Sequence, residues 1–101
     1  MPAVVEAGNR LLPNVPNPFN PSTSIGFVIE KATRITLGVY DLRGRLVRRL
    51  MDVEVEAGEH QDVCAWDGRN DQGRLVTSGN YFLRLSTDDV FTDARKIVLV
   101  R

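Results

Sequence analysis

The chain has 101 residues, 13 of them basic and 13 acidic, so its formal net charge is zero. A hydrophobic fraction of 43% with 26% charged residues fits one ordinary globular domain. Neutrality removes the electrostatic case for nucleic acid or anionic membrane as a partner, and no stretch approaches the ~18 apolar residues of a direct membrane span.

A single cysteine, Cys64, excludes an internal disulfide. In the run VCAW it reads as a small buried filler. The start MPAVVEAGNR has no basic first segment, and its apolar part falls short of the roughly 7–15 residues of a signal core. The chain is therefore expected either to remain inside the cell or to be the end of a longer exported protein.

Residues 1–13 read as an N-terminal extension or linker and 14–101 as the folded domain. The domain opens with VPNPFNPST, residues 15–23. Pro16, Pro18 and Pro21 fix φ and bias the residues before them toward extended geometry. Asn17 and Asn20, each preceding a proline, suit side-chain turns. Phe19 is the apolar pin that would tie this stiff lead-in to the domain.

Strand signals then recur along the chain. Residues 24–30, SIGFVIE, alternate with Ile25, Phe27 and Ile29 on one face, and 34–40, RITLGVY, with Ile35, Leu37 and Val39. Period 2 marks a half-buried strand. DLRG, 41–44, has the spacing of a type I turn closed by Gly44. Residues 45–52 carry Leu46, Val47, Leu50 and Met51 without a clear phase, which a bulge near Gly44 explains. A helix over LRGRLVRRLMD is the competing expectation, opposed by Gly44. HQDVCAW, 60–66, is a strand delivering Trp66 to the core, followed by the polar loop DGRNDQG, 67–73. RLVTSG is a short edge or connecting segment. GNYFLRLS, 79–86, alternates with Tyr81, Leu83 and Leu85 inward, and 90–101 is the last strand, with Ile97 and Leu99 inward. A further strand is expected from Leu11-Leu12 or from Leu75-Val76. Many short strands separated by Gly/Asp turns indicate two packed antiparallel sheets or a small barrel. DLRGRLV also echoes NDQGRLV about thirty residues later, which reads as the same turn solved twice.

The inventory for catalysis is thin. His60 is the only histidine, and Cys64 lies about 13 Å along the same strand, too far for a dyad. Asp67, Asn70 and Asp71 offer oxygen ligands, but DGRND does not match a calcium loop, and Asx turns explain the same residues. Arg43, Arg45, Arg48 and Arg49 lack interleaved aromatics and sit near Asp41, Asp52, Glu54 and Glu56, so they read as an ion-paired face rather than a nucleic-acid site.

Six blocks occur in order along the chain: NPFNPST (17–23), VYDLRGRLVRRL (39–50), AGEH (57–60), WDGRNDQG (66–73), SGNYFLRL (78–85) and RKIVLVR (95–101). Together they resemble the C-terminal sorting domains of the type IX secretion system, type A, and the related immunoglobulin-like domain of the flagellar hook-cap protein. Between His60 and Trp66 the chain is a residue or two longer than the family's pattern, so a bulge or shifted register is expected there.

The resemblance implies an all-β fold, an immunoglobulin-like antiparallel β-sandwich of about seven strands, at the end of a larger exported protein. It implies no enzyme activity, cofactor or metal, and a location outside the cell or on its surface. The partner would be the secretion or surface-anchoring machinery. Structural weight falls on Phe19, Trp66, Gly44, Gly73 and Tyr81. The recognition element would be the last strand, Arg95, Lys96, Ile97, Val98, Leu99, Val100 and Arg101, read by strand addition to an exposed edge. The alternative is an immunoglobulin-like subunit or cap of an extracellular assembly, pairing with like subunits by exchange of its N-terminal segment.

Overall fold

The computed structural model describes residues 8–100. Its strands are β1 (Arg10–Leu11), β2 (Thr23–Ile29), β3 (Thr33–Tyr40), β4 (Leu46–Val55), β5 (Gly58–Trp66), β6 (Gly79–Thr87) and β7 (Val90–Leu99). They form two antiparallel sheets, in the order β1-β2-β5 and β4-β3-β6-β7. This is the immunoglobulin-like sandwich expected of alternating strands that must each cover one apolar face.

The additional strand comes from Leu11, not from Leu75-Val76. Arg10 and Leu11 pair with Val28 and Phe27, whereas Leu75 makes only an isolated bridge to Arg69. The first sheet therefore begins inside the segment read as an extension, and Leu11 joins the core.

The inner faces keep the sequence period. Ile25, Phe27, Ile29, Ile35, Leu37, Val39, Leu83, Leu85, Ile97 and Leu99 are at most 1% exposed. Burying a side chain of this size stabilises by roughly 1.5–3 kcal/mol relative to exposure. β4 breaks the period with two bulges. Leu37 pairs with Met51 and Gly38 with Arg49, which leaves Leu50 extra; Val39 pairs with Arg48 and Tyr40 with Leu46, which leaves Val47 extra. Each extra residue resets the alternation, so Val47, Leu50 and Met51 all pack against the core. The irregularity lies within the strand rather than at Gly44, and the helical alternative is excluded.

β5 holds the excess length noted between His60 and Trp66. Ile25 pairs with Cys64 and Phe27 with His60, so a two-residue step on β2 spans four on β5. Asp62 takes φ 53° in this bulge. A Cβ on Gly26 would approach the His60 carbonyl oxygen to 2.6 Å, so the bulged backbone requires glycine opposite it.

The repeated GRLV is one turn built twice. The Asp41 carboxylate accepts from the N–H groups of Arg43 and Arg45, each at 2.9 Å. Gly44 N–H donates to Asp41 O, and Asp41 N–H to Arg45 O. Asn70 Oδ1 accepts likewise from Gln72 and Arg74, at 2.9 and 3.0 Å, and Gly73 N–H donates to Asn70 O and Asn70 N–H to Arg74 O. Gly44 and Gly73 close the turns at φ 84° and 81°, where a Cβ is disfavoured. Because Asn and Asp fill one role here, Asp41→Asn is expected to keep the turn. Asn70→Ala should lower unfolding free energy in denaturant by about 1 kcal/mol. The main-chain bond from Arg45 leads in holding the Asp41 carboxyl below its ordinary 3.8. That contribution is complete above pH 3.8 and fades as pH falls through the lower folded value. Asp41→Asn should remove this pH dependence.

Candidate recognition surface

Trp66, at the end of β5, is fully buried between the sheets. Its ring centroid lies 5.6 Å from that of Phe19 and 5.3 Å from that of Tyr81, the latter edge-on. Its indole N–H donates to Arg69 O at 2.8 Å, so burial leaves no polar atom unpaired. The Tyr81 hydroxyl donates to Thr77 O at 2.7 Å, the arrangement of a tyrosine corner at the start of a sandwich strand. Phe19, Trp66 and Tyr81, far apart in sequence, thus form one aromatic cluster.

The segment around Phe19 crosses from one sheet to the other. Val15 bridges Ser24 on β2, then Phe19 bridges Leu99 on β7. The crossing is fixed by Asn14, whose amide donates to Thr23 Oγ1 at 2.9 Å, while that hydroxyl donates to Pro16 O at 2.7 Å. Both residues are buried and mutually satisfied.

β7 is an edge strand, and its edge is closed from the Lys96 carbonyl to the Val100 N–H. Val98 N–H donates to Asn17 Oδ1 at 3.0 Å, and Asn17 Nδ2 donates to Lys96 O at 3.3 Å. Phe19 N–H donates to Val98 O and Val100 N–H to Phe19 O, both at 2.9 Å. Earlier in β7, Leu85 pairs with Asp93 and Ser86 with Phe91, so Thr92 is the extra residue of a bulge. The Asp93 carboxylate accepts from the N–H groups of Ala94 and Leu11, each at 2.8 Å. Strand addition along 96–100, the recognition mode expected from sequence, would have to displace the pairing that Asn17 and Phe19 already make with Lys96 O, Val98 and Val100. Ile97 and Leu99 face the core, leaving Lys96, half-buried Arg95 and Val98, and exposed Val100 as the accessible side chains. Arg101 lies outside the described residues.

β4 is protected at one end by the β5–β6 loop. Asp71 N–H donates to the carbonyl of bulged Val47, and its carboxylate accepts from Arg49 N–H at 3.0 Å. Arg48 reaches Asn70 O at 3.3 Å. Arg45 pairs with Asp41, Arg48 with Asp71, and Arg49 with Asp52. Of the arginine cluster, Arg45, Arg48 and Arg49 are thus ion-paired, while Arg43 contributes its main-chain N–H to Asp41. Asp67 binds Arg69 N–H and its guanidinium. Asp67, Asn70 and Asp71 therefore hold backbone, and no group of three or more His, Cys, Asp or Glu suited to a metal occurs among the described residues.

His60 Nε2 contacts Glu56 O at 2.7 Å, and its ring lies 5.3 Å from that of Phe27. Burial pushes the Cys64 thiol up to about 11, so it is scarcely thiolate at neutral pH. A groove of about 300 Å³ beside the β5 bulge is lined by Leu12, Val15, Gly26, Glu59 and Asp62. Its carboxylates are already engaged: Ser24 donates to Asp62 and Gln61 to Glu59.

The sequence pattern of the FlgD Ig-like domain matches residues 19–89. No curated protein matches the chain. A solved structure described as dimeric latent PorU from Porphyromonas gingivalis is similar, with a TM-score of 0.75 at 19% identity. The match covers 91% of this chain and 9% of the PorU chain, and at that identity it establishes a shared fold.

Proposed function

The chain belongs to the FlgD Ig-like domain family, and on that premise we propose that it is a non-catalytic recognition domain. In this reading it is the C-terminal sorting or surface-attachment domain of a larger exported protein, recognised by the outer-membrane type IX secretion machinery. The observation carrying the reading is that the sequence blocks resembling those sorting domains fall on the fixed points of the fold. NPF is laced to β7, DLRG and NDQG are the paired turns, Trp66 and Tyr81 share the aromatic cluster, and RKIVL lies in β7. The chain's likeness to a small part of a much longer protein supports a domain carried by a parent. The engagement of His60, Asp67, Asn70 and Asp71 in holding backbone supports a role as a shape rather than a catalyst.

The test is a reporter carrying an export signal at its start and this chain at its end, expressed in a bacterium with type IX machinery. The reporter is expected at the cell surface or in the medium, and in the periplasm when the machinery is deleted. Periplasmic retention with the machinery intact would overturn the reading.

A structural subunit of an extracellular assembly is the second reading. It is favoured by one observation: the chain from Arg10 to Phe19 is held by edge pairing to both sheets, and such a segment can be exchanged between copies. Polymers that grow with protein concentration in sedimentation would favour it.

A further inference from the structure

Among the described residues nothing packs on the outer face of the β4-β3-β6-β7 sheet, and its composition is unusual. The strand register places Leu46, Tyr40, Phe82 and Lys96 side by side across all four strands, with Arg49, Gly38, Arg84 and Ala94 in the next row. Arg84 extends over two rings, 5.5 Å from the Tyr40 centroid and 5.0 Å from that of Phe91. Phe91 is 53% exposed and Leu46 41%.

Charge is unevenly compensated on this face. At the β4 corner, Asp52 pairs with both Arg34 and Arg49, and Glu54 stands opposite Arg34. Arg84 and Lys96, both exposed, have no carboxylate partner among the described residues. Asp88 and Asp89 lie beyond them, in the β6–β7 turn. Lys96 is two positions along β7 from Ala94, the partner of Arg84, a diagonal separation of roughly 7–8 Å. Carboxylates two residues apart on an extended chain are spaced by about 6.6 Å, a close match.

We propose that the outer face formed by Tyr40, Phe82, Arg84, Phe91 and Lys96 docks an extended acidic segment of a protein partner, with two carboxylates at alternate positions and an aromatic or aliphatic side chain two residues beyond them, so that all three share one face of the segment. The carboxylates meet Arg84 and Lys96, and the apolar residue lies among the rings. Aromatic flanking holds the Arg84 guanidinium in place before the partner arrives, which reduces the ordering cost of binding. With the β7 edge closed, this face also gives the terminal strand a way to be recognised through its side chains. The inference deepens the sorting reading and rests on it for the identity of the partner as secretion machinery.

Two measurements separate the claims. In the first, the isolated chain is titrated with a peptide of the pattern Phe-Ser-Glu-Ser-Glu, which presents one Phe and two Glu side chains on the same face of an extended strand. Saturable binding is expected, weakened by salt and lowered about tenfold or more in the Arg84→Glu/Lys96→Glu variant. The same peptide with Lys in place of both Glu should not bind. Equal binding of both peptides, an unaffected variant, or stronger binding to phosphatidylserine vesicles than to the acidic peptide would overturn the proposal. Circular dichroism melting checks that the variant folds, and Arg84→Gln/Lys96→Gln, which introduces no new charge, must weaken binding in the same direction. In the second, the same variants are placed on the exported reporter. Export of wild type with loss in the variants supports the face; equal export of all three removes it while leaving the sorting reading intact. Retention of the wild-type reporter defeats the sorting reading alone, because the peptide titration stands independently.

Discussion

Replacing Trp66 by alanine is expected to remove roughly 3–5 kcal/mol of stability, the usual cost of deleting a buried aromatic side chain. Trp66 is fully buried and packs against both Phe19 and Tyr81. It also satisfies Arg69 O, which anchors the loop before the second turn. Domains of this size have total stabilities of about 5–15 kcal/mol, so the variant is expected to be partly unfolded or close to it. Each kcal/mol corresponds to roughly 4–8 °C in melting temperature. Trp66→Phe keeps most of the ring contact and loses the indole hydrogen bond, so its loss should be much smaller. Thermal melts of both variants check this order; an unchanged Trp66→Ala melt would mean that the ring is not in the core.

Phe19→Ala is the second large effect. The ring is 2% exposed and its removal opens a cavity against Trp66, with an expected cost of about 3–5 kcal/mol. The loss should be less than additive with Trp66→Ala, because the two rings are neighbours whose centroids lie 5.6 Å apart. Phe19 also positions main-chain groups that pair with Val98 and Val100. Loosening them frees part of an edge strand, and free edges promote association. The variant is therefore expected to aggregate at concentrations where wild type remains monodisperse, measurable by light scattering. Asn17→Ala, which leaves the core ring in place, should produce a smaller loss and the same tendency.

Much of the fold was legible because period 2 survives wherever a strand is regular. Ile25, Phe27, Ile29 and Leu83, Leu85 announce their buried face directly. β4 was not legible in phase because Val47 and Leu50 are extra residues, and each one shifts the next stretch of the strand to the other side. The bulge in β5 was visible as excess length, and its counterpart, Gly26, carried the matching local signal of an isolated glycine inside a strand, though not which strand it faced. The closed β7 edge was hidden for a different reason. Asn17 and Val98 are 81 residues apart, and an asparagine before a proline announces a turn, not a side chain that replaces a strand. Asp71 was equally opaque: it lies in an obvious polar loop, yet it binds backbone on either side of Arg48. The pairing of Arg84 with Tyr40 and Phe91 depends on register across three strands. No single stretch of sequence contains it.

The closed edge changes what recognition of the terminal strand requires. A partner adding a strand would first have to displace Asn17 and Phe19, whereas a partner reading Lys96 and its aromatic neighbours would not. Amide hydrogen exchange at Val98 and Val100 tests the closed edge most directly. Both N–H groups are expected to be protected to a degree comparable with the ladder amides of β3 and β6. Exchange of Val98 and Val100 at the rate of an open edge, with β6 still protected, would contradict the closure of β7 by Asn17 and Phe19.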